Sequence, residues 1–284
     1  MVSPVLIDEN DPAKAEKIRD QLLEWLDAIG DCGPRITPAL GPHAIYTVST
    51  ESLGWLAGLV DNRDLPLMIH LSETRQEVND CIEAHGKRPA FYLDELGLLG
   101  PRIILAHGVW LDREELELIA ERRATVVTNP AANMKLAVGG AFPYPDARKV
   151  GVPLGLGTDG VSSNSNLDMF EEVKLLALLQ KHTTGDPATL PAEEALAIAR
   201  GQRSDLLDGR PLAGGEPADF LLLRASDPEL SAGDPDADLV YAAGGSVVDT
   251  TVVAGEVLMR DREVPGAGEI VAEVRARARR VTGL

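Results

Sequence analysis

Short apolar runs rich in β-branched residues alternate along this chain with longer stretches whose apolar positions recur every three or four residues. Such an alternation predicts repeated βα units around a parallel sheet, because a strand covered by helices is apolar throughout and each helix is apolar on one side. Six units are expected, with strands over 2–7, 35–40, 65–71, 102–106, 124–128 and 152–158. Helical periodicity fills 13–29, where Ile18, Leu22, Leu23, Leu26 and Ile29 share a side, and 113–121. The Asp11-Pro12 pair is read as the cap and first-turn residue of the first helix.

Beyond about Gly209 the texture changes to strand-like runs over 220–223, 239–241, 247–253 and 256–259, broken by Gly244-Gly245 and Ala254-Gly255. A closing helix over 269–281, with Val271, Val274 and Ala278 on one face and four arginines elsewhere, is expected to be a docked, solvated terminal helix. The expected organisation is a partial barrel over 1–208 and a small β-sandwich remnant with the terminal helix over 209–284. The fold class is α/β, an incomplete TIM-type barrel with a small C-terminal β-sandwich part. Closing a parallel barrel takes eight strands; with six readable units the deficit falls at the start, as if a longer protein were cut before its third strand.

Composition narrows the function class. With 284 residues and 44% hydrophobic content, the chain supplies a full core. The net charge of −18 comes from 45 acidic against 27 basic residues, of which only seven are lysine. That surface repels phosphate backbones and anionic lipids, so a small molecule is the expected partner and neither nucleic acid nor a membrane is. Apolar runs fall short of the roughly 20 residues of a membrane span, and no basic, apolar leader opens the chain, so a cytoplasmic location is expected. Acidic excess with scarce lysine also fits a halophilic protein, whose self-repulsion is screened at high ionic strength. Cys32 and Cys81 lie outside any Cys-x-x-Cys spacing, which indicates neither a disulfide framework nor a thiolate metal site.

Candidate chemistry sits where the expected strands end: His70 and Glu73 in M-I-H-L-S-E-T, His107 in I-I-L-A-H-G-V-W-L and Asp159 in L-G-L-G-T-D-G. A buried parallel strand delivers its last side chain to the mouth of a barrel, where active sites of this architecture lie. No His-x-His precedes them, and the earliest histidine is His43. His85 and His182 stand outside any motif and are expected to face solvent.

Over 35–263 the chain resembles the amidohydrolase superfamily, in the branch of 5'-methylthioadenosine and S-adenosylhomocysteine deaminases, with triazine hydrolases and guanine deaminases as cousins. The strings that carry the resemblance are G-P-H-A-I-Y-T from Gly41, H-L-S-E-T from His70, A-H-G-V-W-L from Ala106, N-P-A-A-N-M-K-L from Asn129 and G-T-D-G-V-S-S-N from Gly157. The resemblance implies one zinc ion held by His70 and Asp159, with Asp159 also orienting the attacking water. It implies that Glu73 shuttles a proton to the ring nitrogen and on to departing ammonia, and that His107 polarises the water and stabilises the tetrahedral adduct. His43 would hydrogen-bond the purine, Glu73 and Asp159 would also meet the substrate, and Ser163 would help hold the site.

The segment from Asn129 to Leu136 is read as a structural loop near the pocket; Thr128 and Ala132 stand where the family has histidine and serine, and Arg200 to Ser204 where it has a Thr- and Gly-rich helix start. The family's His-x-His strand, a ribose-binding glutamate and an arginine are absent, leaving two protein ligands on the metal, fewer than such a site takes. The expected function is hydrolytic deamination of methylthioadenosine or S-adenosylhomocysteine to the inosyl product and ammonia. The alternatives are a catalytically incompetent fragment lacking the His-x-His ligands, and a related hydrolase acting on guanine or a triazine. Open barrel edges would favour a homo-oligomer.

Overall fold

A computed structural model describes residues 1–30, 32–33, 35–231 and 233–283. The chain forms two compact units, Met1–Gly209 and a second from Arg210 onward.

In the first unit, β1 (Val5–Leu6) pairs in parallel with β2 (Gly41–Pro42). Strands β3 (Leu67–Leu71), β4 (Ile103–His107), β5 (Thr125–Thr128) and β6 (Leu154–Leu156) form a parallel sheet in chain order. Bridges Leu40↔Leu67 and Ala44↔His70 join the β2 segment to β3, so pairing runs continuously from β1 to β6. Among the described residues no pairing joins β6 back to β1, and the sheet is an open arc of six parallel strands.

The strands expected over 2–7 and 35–40 shrink to the two-residue β1 and β2 plus the bridge Val2↔Pro38. Pro4, Pro38 and Pro42 each lack the N–H that a longer ladder needs. The sixth strand also ends early, at Leu156, although Gly157 N–H still donates to Thr128 O at 3.0 Å.

The helices of the first unit are α1 (Pro12–Ile29), α2 (Thr50–Arg63), α3 (Arg75–His85), α4 (Pro89–Glu95), α5 (Arg113–Arg122), α6 (Pro130–Lys135), α7 (Tyr144–Val150), α8 (Val161–Asn164), α9 (Met169–Thr184) and α10 (Ala192–Ala199). Their starts are chemically set: Asp11 accepts from Ala13 N–H ahead of Pro12 in α1, and Asp112 with Glu115 forms a reciprocal capping box on α5. The core lies between sheet and helices, with Leu67, Ile69, Leu71, Leu105 and Val126 meeting Leu53, Leu93, Leu116 and Ile119, each at most 1% exposed. No described helix is long and apolar enough to cross a membrane. Cys32 is exposed, Cys81 is buried, and both are free.

The second unit is an antiparallel sheet of β7 (Phe220–Leu223), β8 (Val248–Val253) and β9 (Glu256–Met259), ordered β7-β8-β9. Ala254 and Gly255 join β8 to β9 with φ of 51° and 77°, the left-handed pair that a tight two-residue hairpin requires. The strand expected over 239–241 is instead helical. Asp234 caps a turn at Pro235–Ala237, and a π-type turn over Asp238–Ala242 continues it, closed by Ala243 N–H donating to Asp238 O at 2.9 Å. A three-residue apolar run is too short for its period to separate strand from helix.

The closing helix Ala267–Thr282 forms and is solvated as expected, but its apolar face is not covered: every side chain from Glu269 to Val281 is exposed, Val274 by 58%. Its ends are self-supporting, with Glu269 in the first turn and Arg279 and Arg280 in the last, each complementing the helix dipole.

Candidate active site

Parallel register brings the candidate residues together at one end of the sheet: His70 lies opposite Ala106 and Leu71 opposite His107, so both imidazoles emerge from neighbouring strand ends. His70 is fixed twice by one acceptor, its backbone N–H and its ring Nδ1 lying 3.0 Å and 2.7 Å from the carbonyl of His43. A proton on Nδ1 leaves the Nε2 lone pair free to bind a metal. Burial, reinforced by His107 and His43, lowers the pKa of this ring and favours the neutral form that ligation requires.

His107 is 1% exposed and holds a left-handed φ of 74°. Its Nδ1 donates to Asn133 Oδ1 at 2.8 Å, which again turns Nε2 outward. The side-chain amide of Asn129 lies 3.3 Å from the same nitrogen. With that amide's nitrogen donating to the carbonyls of Gly157 and Thr128, 3.2 Å each, its oxygen faces His107. Gly157 permits this approach, since a Cβ there would stand 2.7 Å from that amide nitrogen. The segment read as a structural loop is therefore the helix α6 with its preceding residue, and its two asparagines set the orientation of His107.

Asp159 comes after β6 with a left-handed φ of 60°, and its Oδ1 accepts from Gly160 N–H at 2.6 Å. Ligand atoms of His70, His107 and Asp159 all lie within 4.8 Å of one another. The resemblance implies His70 and Asp159 as protein ligands for the metal, and His107 Nε2 lies in reach of the same point. Two imidazoles with free Nε2 atoms and one carboxylate are a donor set that suits zinc. Glu73 stands beside them, its Oε2 3.9 Å from His107 Nε2.

His43 meets His70 edge-on at 4.8 Å between ring centroids, and its Nδ1 bonds Thr47 Oγ1 at 2.9 Å. Ser163 is half-buried in α8 and gives its N–H to Gly160 O; no described hydrogen bond ties its hydroxyl to the donor group. His85 and His182 are exposed, His85 stacked on Tyr92 at 3.9 Å.

Buried glutamates support the site, and nothing in the sequence pattern singled them out. Glu77 in α3 is 5% exposed and accepts from the N–H groups of Ser72 and Glu73, each at 2.8 Å, which fixes the turn carrying Glu73. Burial raises its pKa. Ser72 in that turn has φ of 50° and a buried hydroxyl with no partner among the described residues. Glu172 in α9 is 1% exposed and reaches α6 and α8, the short helices that follow β5 and β6.

The model of the amidohydrolase family matches residues 3–258, and the chain belongs to that family. It is 49% identical over 251 residues to the 5'-deoxyadenosine deaminase of Methanoregula boonei, covering 87% of this chain and 57% of that protein. It is 40% identical over 263 residues to the 5-methylthioadenosine/S-adenosylhomocysteine deaminase of Thermococcus onnurineus, covering 91% of this chain and 62% of that protein. Among solved structures, an adenosine deaminase from Xanthomonas campestris with bound zinc superposes with a TM-score of 0.87 at 33% identity, over 100% of this chain and 66% of that one. The chain thus spans about three fifths of the length of these curated relatives.

Proposed function

We propose that this chain carries the reaction centre of a zinc-dependent hydrolytic deaminase acting on an adenine nucleoside modified at the 5' position. The observation that carries the reading is the meeting of His70, His107 and Asp159 within 4.8 Å, with Glu73 at their edge. His70 and Asp159 would hold the metal. When bound, zinc lowers the pKa of a coordinated water to about 7 and so supplies the attacking oxygen at neutral pH. His107 through Nε2 and Glu73 through Oε2, 3.9 Å apart, would hold the attacking water between them. Glu73 takes a proton from the water and delivers it to the purine ring nitrogen, and then assists departure of the amino group as ammonia. Asp159 orients the water toward C6 of the ring, and His43 donates to the purine. Ser163 lines the substrate side of the loop after β6.

The relatives' names share a 5'-deoxyadenosine core, which supports adding 5'-deoxyadenosine to methylthioadenosine and S-adenosylhomocysteine as candidate substrates. Ammonia release by the zinc-loaded chain from these three, against guanine and a triazine, tests the reading. Release from at least one adenine nucleoside is expected; release from none of them, or only from guanine or the triazine, overturns it. The reading includes a cytoplasmic location, supported by two free cysteines, and adaptation to high salt, supported by the charge of −18. Equal solubility and stability in low and molar KCl would remove the last. It also includes a homo-oligomer, supported by Val2 and Val5 exposed along the β1 edge.

A further inference from the structure

Asp159 has an anchoring problem that the two histidines lack. His70 is the penultimate and His107 the last residue of five-residue strands that pair with each other up to their final residues. Asp159 lies beyond the three-residue β6, its backbone is left-handed, and its own contacts are local: Gly160 N–H on Oδ1, and Thr158 Oγ1 on its carbonyl at 3.0 Å. A non-glycine residue in that conformation costs on the order of 1 kcal/mol or more and persists where its surroundings over-determine it.

The surroundings that do so converge on Glu172. Its Oε1 accepts from Asn164 Nδ2 at 2.5 Å, and the same Nδ2 donates to the carbonyl of Thr158 at 2.7 Å, the residue before Asp159. Its Oε2 accepts from Ala131 N–H at 3.2 Å, in the helix whose Asn133 orients His107. One side chain from α9 therefore ties the Asp159 loop to the segment that sets His107. Its cost shows that it is not a solvated helix residue: at 1% exposure its described bonds go to an amide and a backbone N–H, without a cation. A buried carboxylate held by neutral donors alone is unfavourable unless those donors are themselves ordered by it.

We infer that Glu172, acting through Asn164, is a positioning residue that holds the Asp159 carboxylate at the donor distance of His70 and His107. This rests on the metal-site reading above, so the test separates the two. Co2+ alone is titrated into the full chain after chelator treatment, read by its visible d–d absorption, for native protein and for Glu172→Gln, Asn164→Ala and the double variant. Glu171→Gln, an exposed neighbour, serves as the charge control. Native protein and the control are expected to bind one Co2+ with equal affinity, and Glu172→Gln and Asn164→Ala to bind roughly 10- to 100-fold more weakly, the range for loss of a group that orients a ligand. The double variant is expected to fall no further than the weaker single, because both act through one chain of bonds. Unchanged affinity and spectrum in Asn164→Ala, or in a Glu172→Gln that retains native circular dichroism, overturns the inference. Should Glu172→Gln fail to fold, Asn164→Ala decides. No Co2+ binding by native protein overturns the metal reading, and this inference with it.

Discussion

The two sheets of this molecule solve opposite problems. In the parallel sheet every residue of β4 is buried, and the last residues of β3 and β4 lie at or within one position of a candidate donor. In the antiparallel sheet only β8 alternates with a buried face, while Leu221 and Leu222 of β7 are about half exposed and Glu256, Val257 and Leu258 of β9 are all exposed. A strand packed on both faces has no freedom to shift its final side chain, which is what a metal-binding group needs. A half-solvated sheet tolerates change and carries no donor group among the described residues.

The sharpest way to break that contrast is to remove chemistry from one sheet and shape from the other. His70→Ala and Asp159→Asn are expected to abolish retention of zinc after mild chelation, and ammonia release with it, whereas Leu222→Ala leaves metal content unchanged. Glu73→Gln separates binding from turnover: metal is retained while turnover falls roughly 10²- to 10⁴-fold, the usual contribution of a positioned proton carrier. Loss of metal in Leu222→Ala, or full turnover in Glu73→Gln, would end the assignment of chemistry to the parallel sheet.

A smaller effect measures the packing itself. Leu105 is 0% exposed, and Leu105→Ala is expected to cost about 2–5 kcal/mol in denaturant unfolding. Leu222, at 52% exposure, is expected to change stability by no more than about 0.5 kcal/mol on the same substitution. Equal costs would show that the two sheets are equally packed in solution.

Linkage to pH gives a third, weaker reading. Glu77 has its pKa raised by burial above 4.5 in the folded state, so the protonated form is the one that folding favours. Its contribution is full below the unfolded value and is lost as pH rises through the folded one. The stability of native protein relative to Glu77→Gln should therefore decline as pH climbs from 4.5, and a flat difference curve would show Glu77 solvated. Smallest of all is a labelling contrast: burial pushes the Cys81 thiol up to about 12, so a thiolate-directed reagent should modify exposed Cys32 and leave Cys81 until the chain unfolds.

Much of the first unit was legible because buried parallel strands announce themselves. Ile103 to His107 is apolar to its last residue, and that residue is His107, a member of the candidate donor group. The second strand was misread in extent because hydropathy does not register the missing N–H of Pro38 and Pro42. Residues 239–241 were misread because an apolar triplet fits either period. His70, His107 and Asp159 were visible as strand-end polar residues, but their distances were not, and His107 joined the donor group only through register. Glu77 and Glu172 escaped notice for a physical reason: a glutamate in a charged helix reads as solvated, and only the fold shows backbone N–H groups waiting for it. Asn129 and Asn133 left a fainter signal, two amides four residues apart, hence on one side of a helical turn beside a strand end.

Ser72 shows where durability and performance diverge. Its φ of 50° and its buried hydroxyl, without a partner among the described residues, both weaken the folded chain, and glycine would remove both penalties at once. A laboratory selection rewarding heat resistance alone would accept glycine at 72. The same substitution would slacken the turn through which Glu77 grips Glu73, so the hardier protein would be the slower one.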